Sequence, residues 1–267
     1  MSLLIHERSL KQLNSVLRST AHAVLLRGVK GVGLATIATE MTLPIYTVRP
    51  EFLTNKSALP QIGIEQIREL YTIARGKSST LQTILIDDAE TMTLPAQNSL
   101  LKLLEEPTEN IRFILTSHNP DKLLPTLHSR MQTIDILPVD KKQTIGILDR
   151  ISSDLKKRQL QFIAGNLPAE LLRLINNDEY YRTIASRASL ARKLVESPVY
   201  ERLLLIHRDA PDRSTAMMLL ELMLNFLRRD VHPSTSSIRR IDALIRCYDA
   251  IQKNGNVRLH LVHAMVY

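Results

Sequence analysis

A glycine-punctuated turn early in the chain has the residue types of a phosphate-binding loop. Gly28, Gly31 and Gly33 follow an apolar strand and precede a helical segment, with Lys30 between the first two glycines. Glycines in this setting let backbone amides converge, and converging amides can cradle an anion. The spacing therefore predicts a loop of the kind that binds nucleotide phosphates.

The residues after the turn lack the groups that hydrolysis needs. A working loop places Lys after its last glycine, to neutralise the β and γ phosphates, and then Ser or Thr as a magnesium ligand. Here Leu34 and Ala35 occupy those positions, and Lys30 is a poor geometric substitute. A tight turn kept for strand-to-helix packing explains the glycines. We expect no ATP hydrolysis at this loop and no cofactor or metal bound to this chain.

An acidic pair ends a second apolar strand. Asp87 and Asp88 directly follow the run Thr83–Ile86. In nucleotide hydrolases one acid at such a strand end lies near magnesium and another near the attacking water. Asp88 stands where Glu is usual and is one methylene shorter. Paired acids at strand ends also serve as helix caps or solvated turns, so the pair alone leaves both interpretations open.

Apolar strands and amphipathic helices alternate through the first half of the chain. This pattern predicts a parallel sheet with helices on both faces, in which ligands bind beyond the carboxyl ends of the strands. Both groups of candidate residues fall at such ends. The predicted strands are residues 23–26, 83–86, 111–115 and 133–137, and the predicted helices are residues 5–19, 61–74 and 94–106.

Helical patterns alone follow Asp140, which is a plausible helix N-cap. The expected organisation is an α/β core over residues 1–138, a small helical lid over residues 139–177 and an all-α domain over residues 178–267. Breaks between the helical patterns of the last domain suggest four or five helices there.

Three ordered segments resemble the bacterial clamp-loader family of AAA+ proteins. They are NSLLKLLEEP at residues 98–107, FILTS at residues 113–117 and LHSR at residues 127–130. The family pattern ends in Ser-Arg-Cys, and this chain departs from it only in carrying Met131 in place of the Cys. The resemblance covers roughly residues 5–180 well. It implies a P-loop-like AAA+ core, a helical lid and an oligomerising helical collar.

The resemblance also assigns roles to individual residues. Arg130 matches the arginine finger, which reaches into the ATP site of the neighbouring subunit. A guanidinium suits this role because it stays charged and can make bidentate contacts with phosphate oxygens. The alternative for Arg130 is a surface ion pair. Thr116 or Ser117 matches the first sensor of the γ phosphate, and without nucleotide that residue would be vestigial.

The departures from the family pattern point towards its delta-prime branch. Pro168 stands where the second-sensor Arg is usual, and the segment that usually holds a cysteine-rich zinc module is short. Delta-prime members keep the finger and can lose nucleotide binding. The implied partners are the gamma or tau ATPase subunits, which would hold ATP and magnesium, and the delta subunit. Through that complex the chain would act on a sliding clamp and primed DNA.

Composition leaves other functions open. The formal net charge of +8 favours polyanions such as nucleic acid, but only 4% of residues are aromatic, so base-stacking platforms are not expected. A divergent ATPase with slow turnover and a nucleic-acid-binding adaptor are the alternatives. No apolar run is long enough to span a bilayer, which predicts a cytoplasmic protein without a membrane partner. The single cysteine, Cys247, excludes an internal disulfide.

Overall fold

A computed structural model describes residues 4–53, 60–74, 79–106, 110–149, 151, 153–209, 211–227, 235–253 and 255–267. Pro107, at the end of the NSLLKLLEEP segment, lies outside these residues. The chain divides into two compact units, Met1–Arg173 and Leu174–Tyr267. This division does not test the boundaries of the three expected domains, which stay a prediction.

A five-stranded parallel sheet forms the centre of the first unit. Its strand order is β2-β3-β4-β1-β5. The strands are β1 (Ala23–Arg27), β2 (Tyr46–Val48), β3 (Gln82–Ile86), β4 (Ile111–Ser117) and β5 (Gln132–Asp135). The sequence pattern misses β2, because it has only three residues and no long apolar run. The parallel sheet that the alternation predicts is confirmed.

Helices cover the sheet on both faces because successive strand residues point to opposite sides. Ala23 and Leu25 of β1 belong to one core cluster, with residues of α3 and α4. Val24 and Leu26 belong to the other, with residues of α1 and α2. These helices are α1 (Glu7–Leu17), α2 (Leu34–Thr42), α3 (Ile64–Ala74) and α4 (Leu94–Glu105). The predicted start of α3 at Gln61 is three residues early, since Gln61 forms a β-bridge with Glu51.

A buried arginine ties α1 to the sheet. Arg112, in β4, is only 5% exposed. Its guanidinium donates to the carbonyl oxygens of Leu17 (2.8 Å), Ser19 (2.6 Å) and Ala21 (2.9 Å). These carbonyls lie at and just beyond the C-terminal end of α1, where helix carbonyls lack partners and a cation is favoured.

A short helix, α5 (Pro125–His128), precedes β5, and three lid helices follow it. They are α6 (Lys141–Leu148), α7 (Asp154–Ala164) and α8 (Pro168–Asn176). Asp140 is the N-cap of α6, as predicted, and its backbone N–H donates to the side-chain oxygen of Gln143 at 3.1 Å. The last strand is shifted from its predicted position, because β5 ends at Asp135 and residues 136–140 are irregular.

Every regular element in the described part of the second unit is a helix. Its helices are α9 (Asp178–Glu196), α10 (Val199–Asp209), α11 (Arg213–Leu227), α12 (Thr235–Gln252) and α13 (Val257–Met265). Apolar side chains of α9, α11, α12 and α13 are buried in its interior. Across the described ranges of the chain, no helix is both long and apolar enough to cross a membrane.

Candidate functional site

The glycine turn lies between β1 and α2, as expected for a phosphate loop. Gly31 and Gly33 have φ angles of +88° and +93°, a region that other residues rarely adopt. Gly28 is needed for another reason, because a Cβ there would lie 2.7 Å from the carbonyl oxygen of Ile136. Backbone geometry and close packing therefore explain the glycines without a nucleotide.

The positions that should supply a cation and a metal ligand carry apolar side chains. Leu34 begins α2, is 2% exposed and packs in the core beneath the sheet. Ala35 has no group that could bind magnesium. Lys30 is exposed within the turn. The loop therefore has the glycines of a phosphate-binding loop but lacks the lysine cation and the magnesium-binding hydroxyl at Leu34 and Ala35.

The first turn of α8 lies directly against this loop. The carbonyl oxygen of Gly31 accepts hydrogen bonds from the backbone N–H groups of Ala169 (3.0 Å) and Glu170 (3.2 Å). A Cβ on Gly33 would lie 3.1 Å from the Cβ of Ala169. The N–H groups at the start of a helix have no partner within the helix. Here the loop supplies that partner, at the helix that begins with Pro168.

The acidic pair lies beside the end of β4. The Thr116 hydroxyl donates to Oδ1 of Asp87 at 2.6 Å and accepts from the backbone N–H of Asp88 at 2.9 Å. The guanidinium of Arg49 lies 4.0 Å from the other carboxylate oxygen of Asp87. Ser117 points elsewhere, since its Oγ accepts from the backbone N–H of Asn119 at 3.2 Å. Of the two sensor candidates, Thr116 is the one that contacts the acids.

His118 joins the glycine turn to the acidic pair, and sequence analysis missed it. Its Nδ1 lies 2.8 Å from the carbonyl oxygen of Gly28, and its Nε2 lies 3.7 Å from Oδ1 of Asp88. Because a carbonyl can only accept, Nδ1 carries a proton and donates it to Gly28. The signal for finding it was its position directly after β4, at the edge of the sheet where ligands bind.

Burial raises the pKa of the Asp88 carboxyl, and the charges of Asp87 and Glu90 raise it further. His118 and Lys30 act in the opposite direction. Glu90 also accepts a hydrogen bond from the backbone N–H of His118 at 3.0 Å. This edge of the sheet therefore concentrates negative charge. Within the described ranges, however, no three His, Cys, Asp or Glu side chains are grouped so that they could hold a metal ion.

Arg130 lies apart from this cluster, just after α5. Its Nη1 donates to the carbonyl oxygen of Thr126 at 2.9 Å, and Oγ of Ser129 lies 3.3 Å from the same atom. Its Nη2 lies 2.8 Å from Oε1 of Glu105, at the end of α4. The Arg130 side chain is 34% exposed in this arrangement. The chain by itself therefore forms the surface ion pair that was the alternative to a finger role.

A buried glutamine fixes the segment that carries Arg130, and sequence analysis did not single it out. Gln97 of α4 is 5% exposed. Its side-chain oxygen accepts from the backbone N–H of Leu124 at 2.8 Å, and its amide nitrogen donates to the carbonyl oxygens of Lys122 (3.2 Å) and Met92 (3.3 Å). The sequence signal was a polar residue on the otherwise apolar inward face of the helix.

Part of the positive charge is structural rather than available to nucleic acid. In the second unit, Arg202 and Arg240 donate to the carbonyl oxygens of Ser197 (2.7 Å) and Val195 (2.6 Å) at the C-terminal end of α9. Arg213 donates to the carbonyl of Ile251 near the end of α12. Cations are favoured at helix C-termini.

The chain is similar in sequence to a family of DNA polymerase III subunits. Residues 45–140 match the family model described as DNA polymerase III, delta subunit. The DNA polymerase III subunit delta' of Bacillus subtilis is 34% identical over 139 residues, which cover 51% of this chain and 40% of that protein. The subunit delta' of Escherichia coli is 28% identical over 204 residues, which cover 74% of this chain and 58% of that protein. The matched part of the chain thus spans about half the length of these relatives.

The fold matches a solved relative over nearly the whole chain. The crystal structure of a DNA polymerase III gamma subunit-related protein from Thermotoga maritima aligns with a TM-score of 0.61 at 17% identity, covering 97% of this chain and 98% of that one. At that identity the match supports the fold alone. The family model and the delta' relatives, each matching part of the chain, together support a delta-prime-like AAA+ protein of the bacterial clamp loader.

Proposed function

We propose that this chain is a cytoplasmic, non-hydrolysing subunit of the DNA polymerase III clamp loader, which supplies Arg130 as an arginine finger to a neighbouring ATPase subunit. Its partners are the gamma or tau subunits, which hold ATP and magnesium, and the delta subunit. Through the complex it acts on the sliding clamp and primed DNA during replication. The expected helical collar, residues 178–267, joins it to the ring.

The contact between the glycine turn and α8 is the observation that carries the proposal. Gly31 already accepts two hydrogen bonds from the first turn of α8, and Ala169 is in close contact with Gly33. Nucleotide phosphates would need the space beside this turn. With Leu34 and Ala35 in place of the cation and the metal ligand, little would offset the cost of separating α8 from the loop.

The acidic pair is consistent with a site that is no longer used for hydrolysis. Asp87 accepts the Thr116 hydroxyl, and Asp88 lies near His118. The groups that would hold magnesium and orient a water molecule in an ATPase thus contact other protein groups. We assign Thr116, Ser117 and the acidic pair a structural role inherited from an ancestral ATPase.

Arg130 has the chemistry and the exposure for action in trans. Its guanidinium can bind two phosphate oxygens at once. It lies at the end of a short helix that Gln97 fixes to α4. A rigid support of this kind favours a finger, because catalytic groups must be held close to their productive geometry.

The test is hydrolysis by the reconstituted complex. We would assemble the chain with the ATPase and delta subunits of the same organism and measure clamp- and DNA-stimulated ATP turnover for wild type and Arg130→Ala. The matched control is Arg68→Ala, which removes another exposed arginine from a 2.8 Å ion pair, in that case with Glu65. A finger supplied in trans can contribute about 10³- to 10⁵-fold in rate at its own site.

The expected result is normal assembly and a clear loss of turnover for Arg130→Ala, with Arg68→Ala unchanged. The loss in steady-state turnover will be smaller than the effect at one site, because other sites in the ring keep their own fingers. Unchanged turnover in a correctly assembled Arg130→Ala complex would contradict the proposal. Loss of assembly would instead make Arg130 a structural residue.

A further inference from the structure

The Arg130 side chain contacts two residues of its own turn and one residue of another helix. Thr126 and Ser129 belong to the same turn as Arg130, so they move with it. Glu105 is the last residue of α4, and its Oε1 lies 2.8 Å from Nη2 of Arg130. Through this ion pair, the Arg130 guanidinium contacts helix α4, an element separate from its own turn.

Helix α4 is anchored well enough to act as a reference for the guanidinium. Leu100, Leu103 and Leu104 of α4 are buried in the core. At the other end of the same helix, Gln97 binds Lys122 and Leu124 at the start of the α5 segment. Glu105 comes eight positions after Gln97, which is a distance of about 12 Å along a helix. Helix α4 thus contacts the start of the α5 segment through Gln97 and contacts Arg130, just after α5, through Glu105.

We propose that Glu105 is a positioning residue for the arginine finger. Its carboxylate holds the Arg130 guanidinium in the orientation from which the other N–H groups reach the γ phosphate of the neighbouring subunit. A guanidinium has enough donors to keep a carboxylate while binding phosphate oxygens. This inference rests on the proposed function of Arg130.

Preorganisation is the physical reason for the expected gain. An unrestrained arginine side chain samples many rotamers and must lose that freedom each time it engages a phosphate. An ion pair formed in advance removes part of this entropy loss from the reaction step. The same carboxylate could act in the opposite sense, by competing with the phosphate for the guanidinium. The two actions predict opposite effects of removing the Glu105 charge on kcat: a decrease if Glu105 positions the guanidinium, and an increase if it competes with the phosphate.

The experiment compares Glu105→Gln with wild type in the fully assembled clamp loader. The amide keeps the shape of the side chain and removes its charge. Since a half-exposed ion pair is a modest interaction, we expect kcat of stimulated ATP hydrolysis to fall roughly two- to fivefold. The KM for ATP should change much less than kcat, because the neighbouring subunit holds ATP and magnesium while Arg130 adds only a contact to the γ phosphate. The matched control is Glu106→Gln, which removes the adjacent exposed carboxylate and should leave kcat unchanged.

A double variant separates positioning from a general structural effect. If Glu105 acts only through Arg130, Glu105→Gln combined with Arg130→Ala should hydrolyse ATP at the rate of Arg130→Ala alone. Losses that multiply would mean that Glu105 supports the fold instead, and the positioning role would be wrong. A higher kcat for Glu105→Gln would show competition and would also overturn it.

These outcomes are distinct from failure of the proposed function. If Arg130→Ala slows hydrolysis and Glu105→Gln does not, the finger stands and the positioning role is wrong. If Arg130→Ala has no effect in an assembled complex, the finger is wrong and the role of Glu105 falls with it.

Discussion

The carbonyl oxygen of Gly31 accepts a 3.0 Å hydrogen bond from the backbone N–H of Ala169, so the glycine turn and the first turn of α8 are in direct contact. The N–H of Glu170 binds the same oxygen at 3.2 Å. The first N–H groups of a helix often bind an anion. Here the carbonyl oxygen of the glycine turn accepts the N–H groups of α8 instead. The contact explains why the glycines are useful here without a nucleotide.

Replacing Gly31 with Ala should destabilise the contact between the loop and α8. The φ of +88° is unfavourable for Ala, and the new Cβ would lie 3.0 Å from that of Glu170. We expect a loss of about 1 to 3 kcal/mol in the free energy of unfolding. Urea unfolding measures it, and hydrogen exchange should become faster at the amides of Ala169 and Glu170.

Gly146→Ala is the control for that prediction. Gly146 lies inside α6, and a Cβ added there would meet no neighbouring atom within 4 Å. Alanine should therefore stabilise α6 by about 0.5 to 1 kcal/mol. Equal effects of the two substitutions, or unchanged exchange at Ala169 in Gly31→Ala, would contradict the importance of the contact.

The isolated chain should bind MgATP weakly. Leu34 and Ala35 supply neither the cation nor the metal ligand, and α8 lies against the turn. We expect a Kd above about 1 mM, which corresponds to less than about 4 kcal/mol of binding free energy. Isothermal titration calorimetry with and without magnesium measures it. Micromolar, magnesium-dependent binding would favour the divergent ATPase that the sequence left open.

Much of the fold could be predicted from local patterns. The apolar runs of β1, β3 and β4 are buried on both faces, so they stand out as continuous hydrophobic segments. The short edge strand β2 could not be recognised, because its burial depends on pairing with β3 rather than on its own composition. The end of β5 was also beyond the pattern, since Ile136 is as buried as a strand residue and its N–H still donates to the carbonyl oxygen of Arg27 in β1, although the strand ends at Asp135.

The candidate site was predictable only where residue type alone carries the chemistry. Leu34 and Ala35 reveal a defective loop because apolar groups cannot bind phosphate or magnesium. The contact between Gly31 and Ala169 joins backbone atoms far apart in sequence, and no side chain signals it. Glu105 is similar, since its partner Arg130 lies just after a different helix and the pairing depends on how α4 and α5 pack.

Asp88→Asn should stabilise the chain at neutral pH. Burial is the main cause of the raised pKa of Asp88, so its ionised form is disfavoured in the folded state. Its φ of +49° is also tolerated by Asn. Because the Asp88 side chain is 43% exposed, solvent screens much of this penalty, and we expect a gain of no more than about 0.5 kcal/mol in the free energy of unfolding at neutral pH.

Urea unfolding of wild type and Asp88→Asn at several pH values tests whether ionisation of Asp88 causes the difference in stability. Below the unfolded-state pKa of about 3.9, the carboxyl of Asp88 is neutral in both states and carries no penalty. As the pH rises through the raised folded-state pKa, ionisation lowers the stability of the wild type. The advantage of Asp88→Asn should therefore be small near pH 3 and grow towards neutrality. An advantage that is independent of pH would assign the effect to backbone conformation instead.

Arg112→Leu should be strongly destabilising. Three backbone carbonyls at and beyond the end of α1 would lose the guanidinium that binds them. Because the site is buried, we expect a cost of about 2 to 4 kcal/mol, measured by urea unfolding. The control is Arg27→Leu, which breaks the exposed ion pair with Asp135 and should cost less than about 1 kcal/mol. Similar costs for the two would mean that the Arg112 network contributes little.

Single-turnover ATP hydrolysis in a complex with one working site tests the central claim most directly. Every ATPase subunit except the one facing Arg130 would carry a substitution of its phosphate-loop lysine, so that only the relevant site is observed. With wild-type chain, bound ATP should be hydrolysed at the stimulated rate. With Arg130→Ala, the complex should assemble and bind ATP but hydrolyse it about 10³-fold or more slowly. Equal single-turnover rates for the two complexes would contradict the claim that this chain activates its neighbour through Arg130.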